Sequence, residues 1–470
     1  MTRRQLALVG LVAMVALVLV AQLTHADETL PPRTALDDYV HKADPSYSWK
    51  VVDSFRGNGL TTYIVDLKSQ TWRTAEEVDR PLWEHWLIIV KPHKMARGMA
   101  LLRIGGDKNG KKAPEYAPEY LLDIARETNT VAAEVLTVPN QPLEFYGDGK
   151  LRSEDDLVAF TQSRFLETRD NNWPARNPMV KSAVRAMDCV QELLASEQGG
   201  EVAVKEFVVT GGSKRGWTTW LTGAVDDRVA AIIPVVIDTL NLKDARLHRF
   251  ASYGFWAPSL KDYVHHRVMQ RMHLPEMQEL MRLVDPYFYR HRLTLPKYIV
   301  NASGDQFFPP DASQFYYDEL TGEKHLRYVA NANHSLGGSD ARKTILAFYR
   351  AIVNDTPRPR YDWELRDDGS FLVKCTDKPS QVLLWQAYNP AARDFRVEEI
   401  GRVYSDSVLE ETSDGVYVGR VETPEQGFRA FFVELSYDTG HAEPLRFTTS
   451  VHILPDVLPF ADKDPTLPGE

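Results

Sequence analysis

Apolar and polar positions along this chain follow two rhythms, and the change between them divides it. Thr61-Thr62-Tyr63-Ile64-Val65-Asp66-Leu67 alternates, and Trp86-Leu87-Ile88-Ile89-Val90 is an unbroken apolar run that Pro92 stops. The stretch from Leu36 to Lys94 therefore reads as strands. Ala100–Ile104 is another apolar run, opening into Gly105-Gly106-Asp107-Lys108-Asn109-Gly110. Glu119–Glu127 is helical in pattern, and Thr130–Thr137 is a strand stopped by Pro139. Met179, Ala183, Ala186, Met187, Val190 and Leu194 recur at helical spacing and predict a helix from about Pro178 to Leu194. A strand over Phe207–Val209, a helix after Ser213 and a strand over Val229–Ile237 continue the alternation.

From Asp238 to Arg292 the texture changes to a helical stretch rich in Tyr, Phe, His and Arg. It reads as a cap inserted over the strand ends, where open α/β sheets bind ligands. Alternation returns with strand Lys297–Ala302, helix Ala312–Leu320, strand His325–Ala330 and helix Asp340–Asn354. Strands alternating with helices imply a mostly parallel sheet joined by right-handed crossovers. Asn354–Arg360 has linker composition. Beyond it come short strands alone, at Ser370–Lys374, Gln381–Trp385, Gly415–Gly419, Ala430–Leu435 and Phe447–Val451. That spacing predicts a small Ig-like β-sandwich over 360–455 behind an α/β domain over 27–355, with the cap at about 238–292.

The N-terminus is a separate matter. Arg3-Arg4 precede an apolar segment from Leu6 to Ala21 and then Thr24-His25-Ala26, a small-x-small cleavage pattern. A signal peptide over 1–26 is expected in preference to a retained anchor, which makes the mature protein periplasmic or secreted. The net charge of −10 becomes more negative once those arginines are gone. An acidic chain without a basic tract is a poor nucleic-acid binder. The 2 cysteines, Cys189 and Cys375, fall in distant elements and read as separate buried thiols. No HExxH or cysteine cluster occurs, and His265-His266 are adjacent, so neither a metal nor another cofactor is expected.

The candidate chemistry lies in Val208-Val209-Thr210-Gly211-Gly212-Ser213-Lys214-Arg215-Gly216-Trp217. A strand runs into a glycine pair, one serine and a helix, as in a nucleophile elbow. The usual elbow carries glycine two residues after the serine; here Arg215 stands there and Gly216 follows. A serine hydroxyl needs a base and an acid to orient it. Asp305, ending the Lys297–Ala302 strand region, and His334, in the loop after the next strand, follow in the order Ser, Asp, His. Asp238 is the substitute acid. Oxyanion donors are expected from the backbone near Gly106 and from Lys214. Lys214 and Arg215 either recognise an anionic substrate group or pair with acids. Asn140, Arg215 and Trp256 are the substrate-binding candidates, although most cap aromatics are expected to pack on the sheet.

Several stretches resemble the PhoPQ-activated pathogenicity-related proteins: Thr137–Pro142, Trp173-Pro174, Met179–Asp188, Gly212–Trp220, Asp238–Asn241, Gly304–Phe308 and Ala332–Leu336. The G-x-S-x-x-G elbow also resembles that of glucuronoyl esterases. The family resemblance implies an exported α/β-hydrolase with a C-terminal β domain, linked in some bacteria to virulence and antimicrobial-peptide resistance. It implies no particular substrate. A serine hydrolase working through an acyl-enzyme is the expected activity, an esterase before a peptidase. A non-catalytic extracellular binding or signalling protein is the rival.

Overall fold

A computed structural model describes residues 32–466, so the expected signal peptide lies outside the described residues. The first described element corrects the reading of Leu36–Lys94 as strands throughout: α1 (Ala35–His41) is a helix. Thr34 and Asp37 cap each other's backbone at its start, and Leu36 and Val40, one turn apart, are both buried. Strands β1 (Ser48–Gly57), β2 (Leu60–Thr71) and β3 (Leu82–Pro92) then form an antiparallel meander. β4 (Met99–Ile104), β5 (Val131–Val135), β6 (Glu206–Gly212), β7 (Val229–Val235), β8 (Lys297–Ala302) and β9 (Lys324–Val329) run parallel. All nine join one sheet in the order β1-β2-β3-β5-β4-β6-β7-β8-β9. β5 and β8 are buried at every position, as strands covered on both faces must be.

Strand alternation sends neighbouring side chains into different cores. Phe207 and Val209 of β6 join the core under the helices α4 (Arg176–Ala195) and α5 (Lys214–Val225), whereas Val208 between them joins the opposite one. That second core also takes Phe348 of α9 (Ala341–Val353) and, from the C-terminal region, Phe371, Phe431 and Phe447. The C-terminal strands thus rest on one face of the α/β sheet. Tyr328 N–H donates to Thr448 Oγ1 at 3.0 Å, and Tyr298 Oη to the Arg446 carbonyl at 2.8 Å.

This region is antiparallel. β10 (Tyr361–Leu365), β11 (Phe371–Cys375) and β14 (Val416–Gly419) make a three-stranded sheet. β12 (Gln381–Asn389), β13 (Ser405–Val408), β15 (Phe428–Tyr437) and β16 (Leu445–Thr448) make a second, with β17 (His452–Leu454) paired to β15. β10 and β13 were not anticipated: β13 is an exposed edge strand without an apolar alternation, whereas β10 does alternate, as Tyr361-Asp362-Trp363-Glu364-Leu365, but is short and follows directly on the linker. Cys189 and Cys375 are both free and buried.

Two helical expectations also need correction. α2 (Glu119–Thr128) was anticipated, but α3 (Glu154–Thr168) was not. Leu157, Val158, Ala159, Thr161, Gln162 and Phe165 of α3 are all buried, so it has no single apolar stripe. Conversely, the expected helix over Ala312–Leu320 is only a 3₁₀ turn, Ala312–Phe315. Tyr316 leaves it at φ −150° and commits its hydroxyl to Asp238 at 2.7 Å. The stretch expected to form a cap is helical, with α6 (Leu242–Tyr253), α7 (Lys261–His265) and α8 (Pro275–Val284) joined by 3₁₀ turns. None of the helices among the described residues is long and apolar enough to cross a membrane.

Candidate active site

Ser213 stands between β6 and α5 with φ 58° and ψ −127°, a conformation that non-glycine residues avoid. Its N–H donates to the Val235 carbonyl at 2.8 Å, and its own carbonyl accepts the first helical bond, from Trp217 N–H at 3.0 Å. The glycines explain how so sharp a turn closes. A Cβ on Gly211 would lie 2.7 Å from the Arg215 carbonyl oxygen, and one on Gly216 would lie 2.9 Å from the carbonyl oxygens of Gly211 and Val235. The later glycine is therefore the one where helix meets strand.

Asp305 and His334 meet. Nδ1 of His334 lies 2.8 Å from Oδ2 of the buried Asp305, whose other oxygen accepts Phe307 N–H at 2.7 Å. Gln306 Oε1 accepts the His334 N–H at 3.2 Å. Phe307 lies against the imidazole with ring centres 4.4 Å apart, and Phe308 follows at 6.0 Å. Both phenylalanines also line the cleft beside Ser213. No hydrogen bond joins Ser213 Oγ to His334; the two phenylalanines are what they share.

Asp238 is engaged elsewhere. It is fully enclosed, accepting the Tyr316 hydroxyl at 2.7 Å and the Tyr328 hydroxyl. Burial, helped by the nearby Asp305 and Asp311 charges and only partly opposed by the tyrosines, pushes its carboxyl up to about 7.

The two cations after Ser213 pair with acids. Arg215 forks onto both oxygens of Glu154 at 2.9 and 2.7 Å and donates to the Val138 carbonyl at 2.6 Å. Lys214 Nζ lies 2.8 Å from Glu154 and 3.2 Å from Asp155. Burial alone would raise the Glu154 carboxyl, but these cations outweigh it and hold it well below the usual range. Arg215 is thus turned away from the cleft, and its guanidinium fills the space where a Gly106 side chain would be, 2.4 Å from an imagined Cβ. Asn140 is buried in the loop after β5, bonded to the Arg80 and Leu82 carbonyls. Trp256 packs on Phe250 at 5.1 Å and donates to the Pro465 carbonyl. Neither lines the cleft.

The cleft itself is narrow, with about 40 Å³ that the centre of a water molecule can reach. Its polar lining includes Lys214, which the sequence offered, and five residues that the sequence reading missed: Asp155, Arg176, Thr239, Arg246 and Arg249. The Arg-rich texture of the cap was visible in the sequence, but nothing there says that two cap arginines and one from α4 converge. Among the described residues no group of three or more His, Cys, Asp or Glu is placed to hold a metal ion.

Loops from the C-terminal region hold this site from behind. Asn331, which starts the His334 loop at φ 58°, exchanges two hydrogen bonds with the Tyr404 backbone, at 2.8 and 2.9 Å. Val397 N–H donates to the Gly304 carbonyl at 3.0 Å, and a Cβ on Gly304 would lie 2.4 Å from Val397 Cγ2.

The family model described as PhoPQ-activated pathogenicity-related protein matches residues 36–396. Autocrine proliferation repressor protein A of Dictyostelium discoideum is 37% identical over 458 residues, covering 91% of this chain and 92% of that protein. Among solved structures, acetyl xylan esterase 1 from Thermoanaerobacterium sp. is 15% identical with a TM-score of 0.48, over 70% of this chain and 96% of its own. A glucuronoyl esterase from Solibacter usitatus is 15% identical with a TM-score of 0.38, over 66% and 87%. The chain belongs to the PhoPQ-activated pathogenicity-related protein family.

Proposed function

We propose that the protein is a serine hydrolase that cleaves esters through an acyl-enzyme. Ser213 is the nucleophile, His334 carries its proton to the leaving group, and Asp305 fixes the imidazole. Backbone N–H groups of Lys214 and of the loop at Gly106 hold the oxyanion. The observation that carries this reading is the 2.8 Å contact between Asp305 and His334, set behind the phenylalanines that wall the cleft at the strained Ser213. A free serine lacks the strength to attack a carbonyl, and strain of this kind persists where a side chain must be presented. An ester is preferred to an amide because an alcohol leaves more easily than an amine. The apolar segment at Leu6–Ala21 supports export, and the two antiparallel sheets past residue 360 are read as a small sandwich behind the catalytic domain.

The relative named as a proliferation repressor favours a second reading, a signalling protein that keeps a hydrolase fold. A fluorophosphonate probe separates the two. Labelling of the native protein that disappears in Ser213→Ala is expected; a folded protein that never labels rejects the enzyme. Turnover of aminoacyl anilides but not of p-nitrophenyl esters would reverse the choice of bond.

A further inference from the structure

Arg176, Arg246 and Arg249 all line the cleft at Ser213, and each is at most 5% exposed. Among the described residues none forms an ion pair; the carboxylates that face them, Asp155 for Arg176, Asp285 for Arg246, and Asp305 and Asp238 for Arg249, act from beyond ion-pair distance. Nε and Nη2 of Arg249 reach no hydrogen-bond partner, and its guanidinium lies 5.1 Å from the Phe308 ring centre. Among the described residues Arg246 reaches only the Met277 sulfur, at 4.0 Å. Arg176 gives one bond to the Lys214 carbonyl at 2.8 Å, stacks on Trp217 and leaves Nε unpartnered. The acid among the lining residues, Asp155, is taken by Lys214 and by the Tyr263 hydroxyl at 3.1 Å.

Burying a cation without a carboxylate in direct contact is costly, and proteins avoid it. Three beside one small opening make an incomplete site, since a guanidinium fork matches the paired oxygens of an anion. Burial lowers Arg249 only to about 10, so it stays charged at neutral pH. We propose that the substrate carries a small oxyanion group, carboxylate or phosphate, near its scissile ester, and that Arg176, Arg246 and Arg249 bind it. This deepens the esterase reading and rests on Ser213 being the nucleophile. The size of the space suits such a group: its reachable volume of about 40 Å³ corresponds to roughly three waters.

Binding to the Ser213→Ala protein tests the pocket apart from the chemistry. Titration calorimetry would compare monomethyl glutarate with dimethyl glutarate, and methyl phosphate with trimethyl phosphate. At least one anion is expected to bind tenfold or more tightly than its neutral partner, and the stronger of the two identifies the group. Arg249→Met is expected to abolish the preference and Arg249→Lys to keep part of it. Arg249→Met is also expected to melt no lower than the parent, because it removes an unpaired buried charge; a purely structural arginine would do the opposite. Arg246→Met serves as the second variant. Equal affinity for anion and neutral ester, or a preference that survives both methionine variants, overturns the proposal. Anion binding without fluorophosphonate labelling of the native protein would leave the pocket standing and remove the enzyme.

Discussion

At Ser213 the backbone stores strain so that one hydroxyl can stand at the end of a strand. Replacing it with glycine relieves the φ of 58° at some cost in chain entropy. Ser213→Gly should therefore gain ~1 kcal/mol in denaturant unfolding while losing all turnover. Ser213→Ala, which keeps the strain, should lose turnover without that gain. The acids divide as sharply. Asp305→Asn removes the charge that orients His334 and should lower kcat by ~10⁴-fold. Asp238→Asn, whose carboxyl faces two tyrosine hydroxyls, should leave kcat within a few-fold. The reverse order in steady-state assays would make Asp238 the acid of the site.

Among the elements, the loops after β8 and β9 matter more than the strands that feed them. Their ends are tied to the C-terminal region by Asn331–Tyr404 and Gly304–Val397. Asn331→Ala breaks two half-buried hydrogen bonds and should cost ~1–3 kcal/mol, leaving Tyr404 backbone groups unsatisfied. It should also lower kcat, since the same loop carries His334. A melting temperature that falls with kcat unchanged would show that this tie only stabilises the protein. The elements also show where sequence periodicity carries information. β4 to β9, α4 and α5 follow from apolar runs and helical spacing. α3 does not, because it is buried nearly all round, and β13 does not, because it is exposed throughout. The 3₁₀ turn at Ala312 fails as a helix because Tyr316 turns to Asp238, a partner 78 residues away.

Across the whole molecule, Asp238 joins the end of β7 to Tyr328 of β9 and to Tyr316, and its charge state is linked to folding. Its carboxyl stands at about 7 in the folded protein and at the ordinary 3.8 once exposed. Between those values the folded state binds more protons, so stability falls as pH rises. The contribution is complete below about pH 4 and is lost as pH passes through 7. Unfolding measured from pH 5 to 8 should show that decline, and Asp238→Asn should flatten it. An unchanged slope in the variant would assign the pH dependence to another group. Asp285, pushed up to about 6 by burial, acts in the same direction at lower pH, so the comparison is best read above pH 6.

The sequence by itself determined the α/β order, the helical stretch after β7, the strand-to-helix turn at Ser213 and the order Ser213, Asp305, His334, because each is written in local pattern: apolar period, turn residues, strand ends. Tertiary structure alone decided which charges meet. Lys214 and Arg215, neighbours of the serine in sequence, went to Glu154 and Asp155 on the unanticipated α3. The unpaired cations at the cleft came instead from α4 and α6. Pairing depends on distance in space and on exclusion of water, and neither can be read from positions along a chain.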